Sequence, residues 1–147
     1  MQISANFTLS EWSRSQLAAR RGINNMIPES AIEAIFEMTR DVLQPVRDHF
    51  KKPVFISSGY RCTVLNTAVG GAKGSQHQAR DRDCAADFEV FGVPNEELAR
   101  WIRDNCPHDQ LILEFYDPAK GPNSGWVHCS YRLPEDRNRR QFFGVTT

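Results

Sequence analysis

The chain opens on a pattern of polar and apolar positions that starts and stops helices over short distances. Thr8-Leu9-Ser10-Glu11 has the form of a capping box, a threonine followed three residues later by a glutamate. It predicts a short helix to about Arg20, with Leu9, Trp12 and Leu17 on its buried side. Gly22 to Pro28 interrupts the pattern. Pro28 suits a first helical position, and Ile32, Ile35, Phe36, Val42, Leu43 and Val46 then recur at helical spacing, which predicts one long helix with a single apolar face. Pro45 lies inside that run, where a missing N–H and a bulky ring kink a helix.

Further along, the pattern shortens to strand-sized runs. Val54 to Ser57, bounded by Pro53 and Gly59, reads as a strand. Cys62 to Val69 reads as a helical turn or two, and Gly70 to Gly74 as a flexible loop. Ala85 to Val90 is a second strand. A helix starts at Pro94-Asn95-Glu96-Glu97 with Leu98, Trp101 and Ile102 facing inward. Gln110 to Phe115 and Trp126 to Tyr131 are two more strands, separated by the turn-rich stretch Asp117 to Ser124. Together these predict an α+β fold, helices packed on a small antiparallel sheet, in one domain over residues 1–147.

Composition narrows the function classes. Hydrophobic residues make up 40% and charged residues 24%, ordinary for a globular chain. The formal net charge is zero, which argues against nucleic acid as a partner, since phosphate binding draws on a basic excess. Arg137, Arg139 and Arg140 form the one basic cluster and read as a solvated tail. No apolar run approaches the roughly 18 residues that span a bilayer. Met1 to Thr8 lacks a basic start followed by an apolar stretch, so no signal peptide is expected and synthesis is expected in the cytoplasm. Cys62, Cys84, Cys106 and Cys129 contain no CxxC pair, which excludes a zinc ribbon and predicts free, buried thiols.

Four histidines remain. His49, near the end of the long helix, reads as a surface residue suited to the helix dipole. His108 sits in a loop after Pro107 and receives no role. His77 follows the glycine-rich loop and precedes the strand that carries Asp87, while His128 lies within the last predicted strand. Two histidines and a carboxylate from separate segments match the donor set of a catalytic zinc, which uses three protein ligands and leaves one position open for water. Taken alone, three such residues scattered through a chain are weak evidence.

The words around them stand in order: Ser58-Gly59-Tyr60-Arg61, Leu65-Asn66, Val69-Gly70-Gly71, Ser75-Gln76-His77, Ala85-Ala86-Asp87 and Trp126-Val127-His128. This ordered set resembles the zinc D-alanyl-D-alanine carboxypeptidase family, which includes vancomycin-resistance peptidases and phage endolysins that cut L-alanyl-D-glutamate bonds. The resemblance covers nearly the whole chain, from Phe7-Thr8-Leu9-Ser10-Glu11-Trp12 onward. It implies a hedgehog/D,D-peptidase-like zinc fold and a Zn²⁺ held by His77, Asp87 and His128. It also implies that Arg61 binds a substrate carboxylate or carbonyl, a role its planar two-donor fork suits. Ser75 and Gln76 are expected to add hydrogen bonds near the substrate, and Trp126 to line the pocket. The implied substrate is a peptidoglycan peptide, met at the cell wall after release by a monomeric lysis-type enzyme.

Two departures from the family pattern bear on the site. The family usually has six residues between its first histidine and its aspartate, with a glycine among them; here residues 78–86 intervene, including the charged run Arg80-Asp81-Arg82-Asp83. Asp81, Asp83 and Cys84 therefore stand beside Asp87 as candidates for the third ligand. The strand context of Ala85-Ala86-Asp87-Phe88 favours Asp87, with the insert bulging from the loop. Secondly, many relatives carry an acid three residues before the last histidine, and that position here is Gly125. A metallopeptidase needs a carboxylate to move a proton from water to the leaving amine, and Glu114, at the end of the strand Leu111-Ile112-Leu113, is the replacement, with Asp117 and Asp109 in reserve. The rival class is a non-catalytic domain of the same fold that binds metal or wall peptide without turnover.

Overall fold

The computed structural model describes residues 1–136 and 138–146. Near the N-terminus the capping box forms as predicted: the Glu11 carboxylate accepts from the Thr8 backbone N–H at 3.0 Å. The helix it starts, α1 (Leu9–Ser13), is shorter than expected, because Ser15 opens a second helix, α2 (Gln16–Arg21), by accepting the Ala18 N–H at 3.1 Å. A capping serine inside the run thus splits one predicted helix in two.

The long helical run is also in pieces. Helix α3 (Glu29–Met38) passes through a π-helical segment, Thr39–Leu43, into α4 (Gln44–Phe50). Pro45 has no N–H to offer the carbonyl four residues before it, and the chain relaxes into a wider turn in which the Gln44 N–H reaches the Thr39 carbonyl. The buried face is carried by Ala31, Ala34, Ile35, Met38, Val42, Leu43 and Val46, whereas Phe36, expected inside, is 40% exposed.

Five strands form one sheet in the order β1-β2-β4-β3-β5. They are β1 (Val54–Ser58), β2 (Asp83–Val90), β3 (Gln110–Glu114), β4 (Trp126–Arg132) and β5 (Gln141–Thr146). The first four pair antiparallel, as expected; β5 was not foreseen, and it joins the edge of β3 in parallel, so the sheet is mixed. Helices α5 (Thr63–Ala68) and α6 (Asn95–Asn105) match the sequence expectation. So does His49, which is exposed and stacks on Trp101 with ring centroids 4.4 Å apart.

Strand alternation sorts the side chains onto two faces. Cys84, Ala86, Phe88 and Val90 of β2, Val127, Cys129 and Tyr131 of β4, and Leu111 and Leu113 of β3 are buried in the core with α3, α4 and α6. The opposite face carries Asp83, Asp87, His128, Arg132, Gln110, Ile112 and Glu114, which line a groove. All four cysteines are free thiols, Cys62 half-buried and the others buried.

The basic tail is not simply solvated. Arg137 lies outside the described residues, but Arg139 forms an ion pair at 2.8 Å with the fully buried carboxylate of Asp109, which also accepts from the Arg139 backbone N–H and from the Gln76 amide. This network anchors the segment leading into β5 against the loop that carries His77.

One close approach locks β1 to α1. The Tyr60 N–H donates to the Trp12 carbonyl, and a side chain at Gly59 would place its Cβ 2.5 Å from that same oxygen. Gly59→Ala is therefore expected to cost about 1–3 kcal/mol through overpacking, read as a lower urea midpoint at unchanged slope.

Candidate metal centre and groove

Two adjacent strands and one short turn build the centre. The β2–β4 register sets Asp87 directly opposite His128, so both side chains rise from the same face of the sheet. His77 enters from a single 3-10 turn, Gln76–Gln78, whose first N–H groups are capped by Ser75: its hydroxyl accepts from the His77 N–H at 3.2 Å. The turn ends at Ala79 in the left-handed region, φ 52°, and a second left-handed residue, Arg82 at φ 58°, returns the chain to β2. The extra residues relative to the family spacing are absorbed between these two bends. Asp81 and Arg82 are exposed there, but Asp83 has already joined β2 opposite Arg132, so the bulge is smaller than the charged run suggested.

The donor atoms of His77, Asp87 and His128 all lie within 4.8 Å of one another. His77 Nε2 stands 3.3 Å from Asp87 Oδ1, and His128 Nδ1 stands 2.8 Å from the same oxygen. Ligands bonded at about 2.0–2.1 Å in a tetrahedral site are themselves about 3.3 Å apart, which is the His77–Asp87 separation; the His128–Asp87 contact is a hydrogen bond, and all three donors are close enough to converge on one small cation. The other nitrogen of His77 is already committed: Nδ1 lies 2.6 Å from the Gly59 carbonyl. Donation from Nδ1–H leaves Nε2 as the lone-pair atom, the orientation that metal-binding histidines need. Burial alone would raise the Asp87 carboxyl, but its contacts with the imidazoles of His77 and His128 outweigh it and hold the group ionised, well below the usual carboxylate range.

The rival ligands are placed elsewhere. Among the described residues no other group of histidine, cysteine and acid side chains converges in this way. Cys84 points through the sheet into the core, 3.4 Å from the Ala34 carbonyl, and burial pushes its thiol far up. Asp83 and Asp81 line the groove but stand outside the three-residue cluster.

Around the centre runs a groove of about 770 Å³. Arg61 borders it, half-buried. Its Nη2 donates to the Ser75 hydroxyl at 3.3 Å, and its buried Nε has no hydrogen-bond partner among the described residues. Burial lowers the pKa of the guanidinium, while the charges of Asp87 and Glu114 act in the opposite direction. Both acids line the same groove as this arginine. Gln76 lines the groove too, but its amide donates to Asp109 at 2.9 Å. Trp126 lies on the groove side, two residues before His128, and packs against Phe115 with centroids 5.2 Å apart.

Glu114 is paired with Trp126 across β3 and β4, on the same face as His128 and Ile112. The register also explains Gly125. That residue adopts φ 66°, and a Cβ there would sit 1.9 Å from the Glu114 carbonyl oxygen. No acid fits at that position; the carboxylate on this part of the groove comes from the neighbouring strand instead. The reserves are occupied otherwise: Asp109 is buried against Arg139, and Asp117 caps a short turn by accepting the Ala119 N–H. Sequence reasoning missed the Gly59 carbonyl behind His77 and the Asp109–Arg139–Gln76 network. Neither has a local signal, since both depend on contacts between distant segments.

A comparison with curated proteins returns no match. A family model described as Peptidase M15 matches residues 5–130, a span that holds His77, Asp87, His128, Arg61 and Glu114. On that match over most of its length, the chain belongs to the Peptidase M15 family and is a peptidase of a typically metal-dependent kind.

Proposed function

We propose that this peptidase is a zinc enzyme acting on the stem peptides of peptidoglycan, at a D-Ala-D-Ala or an L-Ala-D-Glu bond. The observation that carries the reading is the convergence of three donors within 4.8 Å of one another, flanked in one groove by a carboxylate and a guanidinium. His77 Nε2, an oxygen of Asp87 and His128 Nδ1 are the ligands in this reading. Zinc held there supplies a Lewis acid for the scissile carbonyl and brings the pKa of water down toward about 7.

The chain's own residues do the rest. Glu114 takes the proton of the attacking water and returns it to the leaving amine. Arg61, whose guanidinium borders the groove, holds a carboxylate of the substrate. Ser75 keeps that guanidinium in place and fixes the turn of His77 with the same hydroxyl. Trp126 forms part of the groove wall beside Glu114.

Three measurements test the reading. Metal analysis of the purified protein is expected to give about one zinc per chain; chelation should abolish hydrolysis of purified peptidoglycan and zinc should restore it, and full activity without metal would refute the assignment. Glu114→Gln is expected to retain zinc while kcat falls by about 10²–10⁴-fold; near-normal turnover would place the base elsewhere. For Arg61→Ala, KM should rise by roughly tenfold or more on peptides with a free carboxylate at the anchored residue, and much less on the amidated analogues. Equal losses on both would remove Arg61 from that role.

A further inference from the structure

A second cavity, of about 600 Å³, adjoins the metal groove. The two share Arg61 and Val69 in their walls, so Arg61 stands at a junction rather than at a dead end. On its far side the cavity is bounded by the start of α2, including Leu17, and by Leu65 of α5. Its floor is β1. Four consecutive residues, Phe55 to Ser58, line it. Neighbouring residues of a strand point to opposite faces, so contact with all four means that the cavity borders the edge of the strand, not one face.

β1 is an edge strand of the sheet. An exposed edge presents backbone N–H and C=O groups to which an extended peptide can add as a further strand. The edge also leads to the chemistry. Ser58 is the register partner of Asp87, one strand spacing of about 4.8 Å away, and the chain passes from Ser58 through Gly59 and Tyr60 to Arg61. The charge of the cavity is one-sided: among the described residues Arg14 and Arg61 line it and no carboxylate does. Phe55, 59% exposed, and Val69, 45% exposed, add apolar wall.

We propose that this cavity is a substrate subsite, in which the peptide that continues beyond the residue anchored by Arg61 lies along the edge of β1. The inference rests on the peptidase reading above and sharpens it. The carboxylate that Arg61 holds then belongs to an internal residue, and the enzyme is an endopeptidase for extended, carboxylate-bearing peptides. In a wall stem peptide, a glutamate linked onward through its γ-carbonyl has this form: its α-carboxylate is free while the chain continues.

The test uses the zinc-loaded full chain and two synthetic substrates, L-Ala-γ-D-Glu-L-Lys-D-Ala-D-Ala and the truncated dipeptide L-Ala-D-Glu, with products identified by mass. Cleavage at the internal bond is expected, with kcat/KM at least tenfold higher for the pentapeptide than for the dipeptide. Arg14→Glu and Phe55→Ala, both changes at the cavity wall, should each lower that ratio several-fold. Release of the terminal D-Ala alone overturns the proposal, as does a ratio near one in the unmodified protein or a ratio unmoved by both substitutions. If neither peptide is cut while zinc is bound, the peptidase reading on wall peptides fails and the subsite falls with it.

Discussion

The antiparallel register that sets Asp87 opposite His128 is the constraint on which the centre depends. Side chains alternate along a strand, so a slip of one residue would send Asp87 into the core and bring Ala86 or Phe88 to the groove. What prevents the slip is the other face. Cys84, Ala86, Phe88, Val127, Cys129 and Tyr131 are almost wholly excluded from water against the helices, and exposing that set would forfeit several kcal/mol of apolar burial. The energy that holds Asp87 and His128 side by side is thus largely the hydrophobic energy of residues that never touch the site.

Holding an ionised carboxylate beside two imidazoles away from bulk water is costly by itself. The structure offsets the cost with local order. Gly59 fixes the ring of His77, Ser75 ties the His77 turn to Arg61, and Asp109 joins Gln76 to Arg139 near the chain's end. The β1–α1 contact through Trp12 and Gly59 therefore matters beyond packing, because the carbonyl that orients His77 belongs to the same glycine.

The same economy governs the groove's polar groups. Where the backbone of β3 approaches Gly125 too closely for any side chain, the carboxylate comes from Glu114 on that very strand. Arg61 shares the groove with both this acid and Asp87, and it also lines the cavity along β1. Positive charge at that junction and negative charge around the centre give the cleft a polarity.

The sequence by itself determined much of this. Capping residues and periodicity placed α3, α5, α6 and the first four strands, because those signals are local: a cap, a proline and an alternating run act within a few residues. The ordered motifs single out His77 and His128, and favour Asp87 through its strand context. What the sequence left open was decided at long range. Whether Asp81, Asp83, Cys84 or Asp87 joined the histidines depended on which face of β2 each occupied and on where the strand began, and two left-handed residues, Ala79 and Arg82, settled that start. The parallel pairing of β5, the burial of Asp109 against Arg139 and the exposure of Phe36 follow from contacts between segments far apart in the chain. No pattern within a single segment encodes such contacts, so only the assembled fold could decide them.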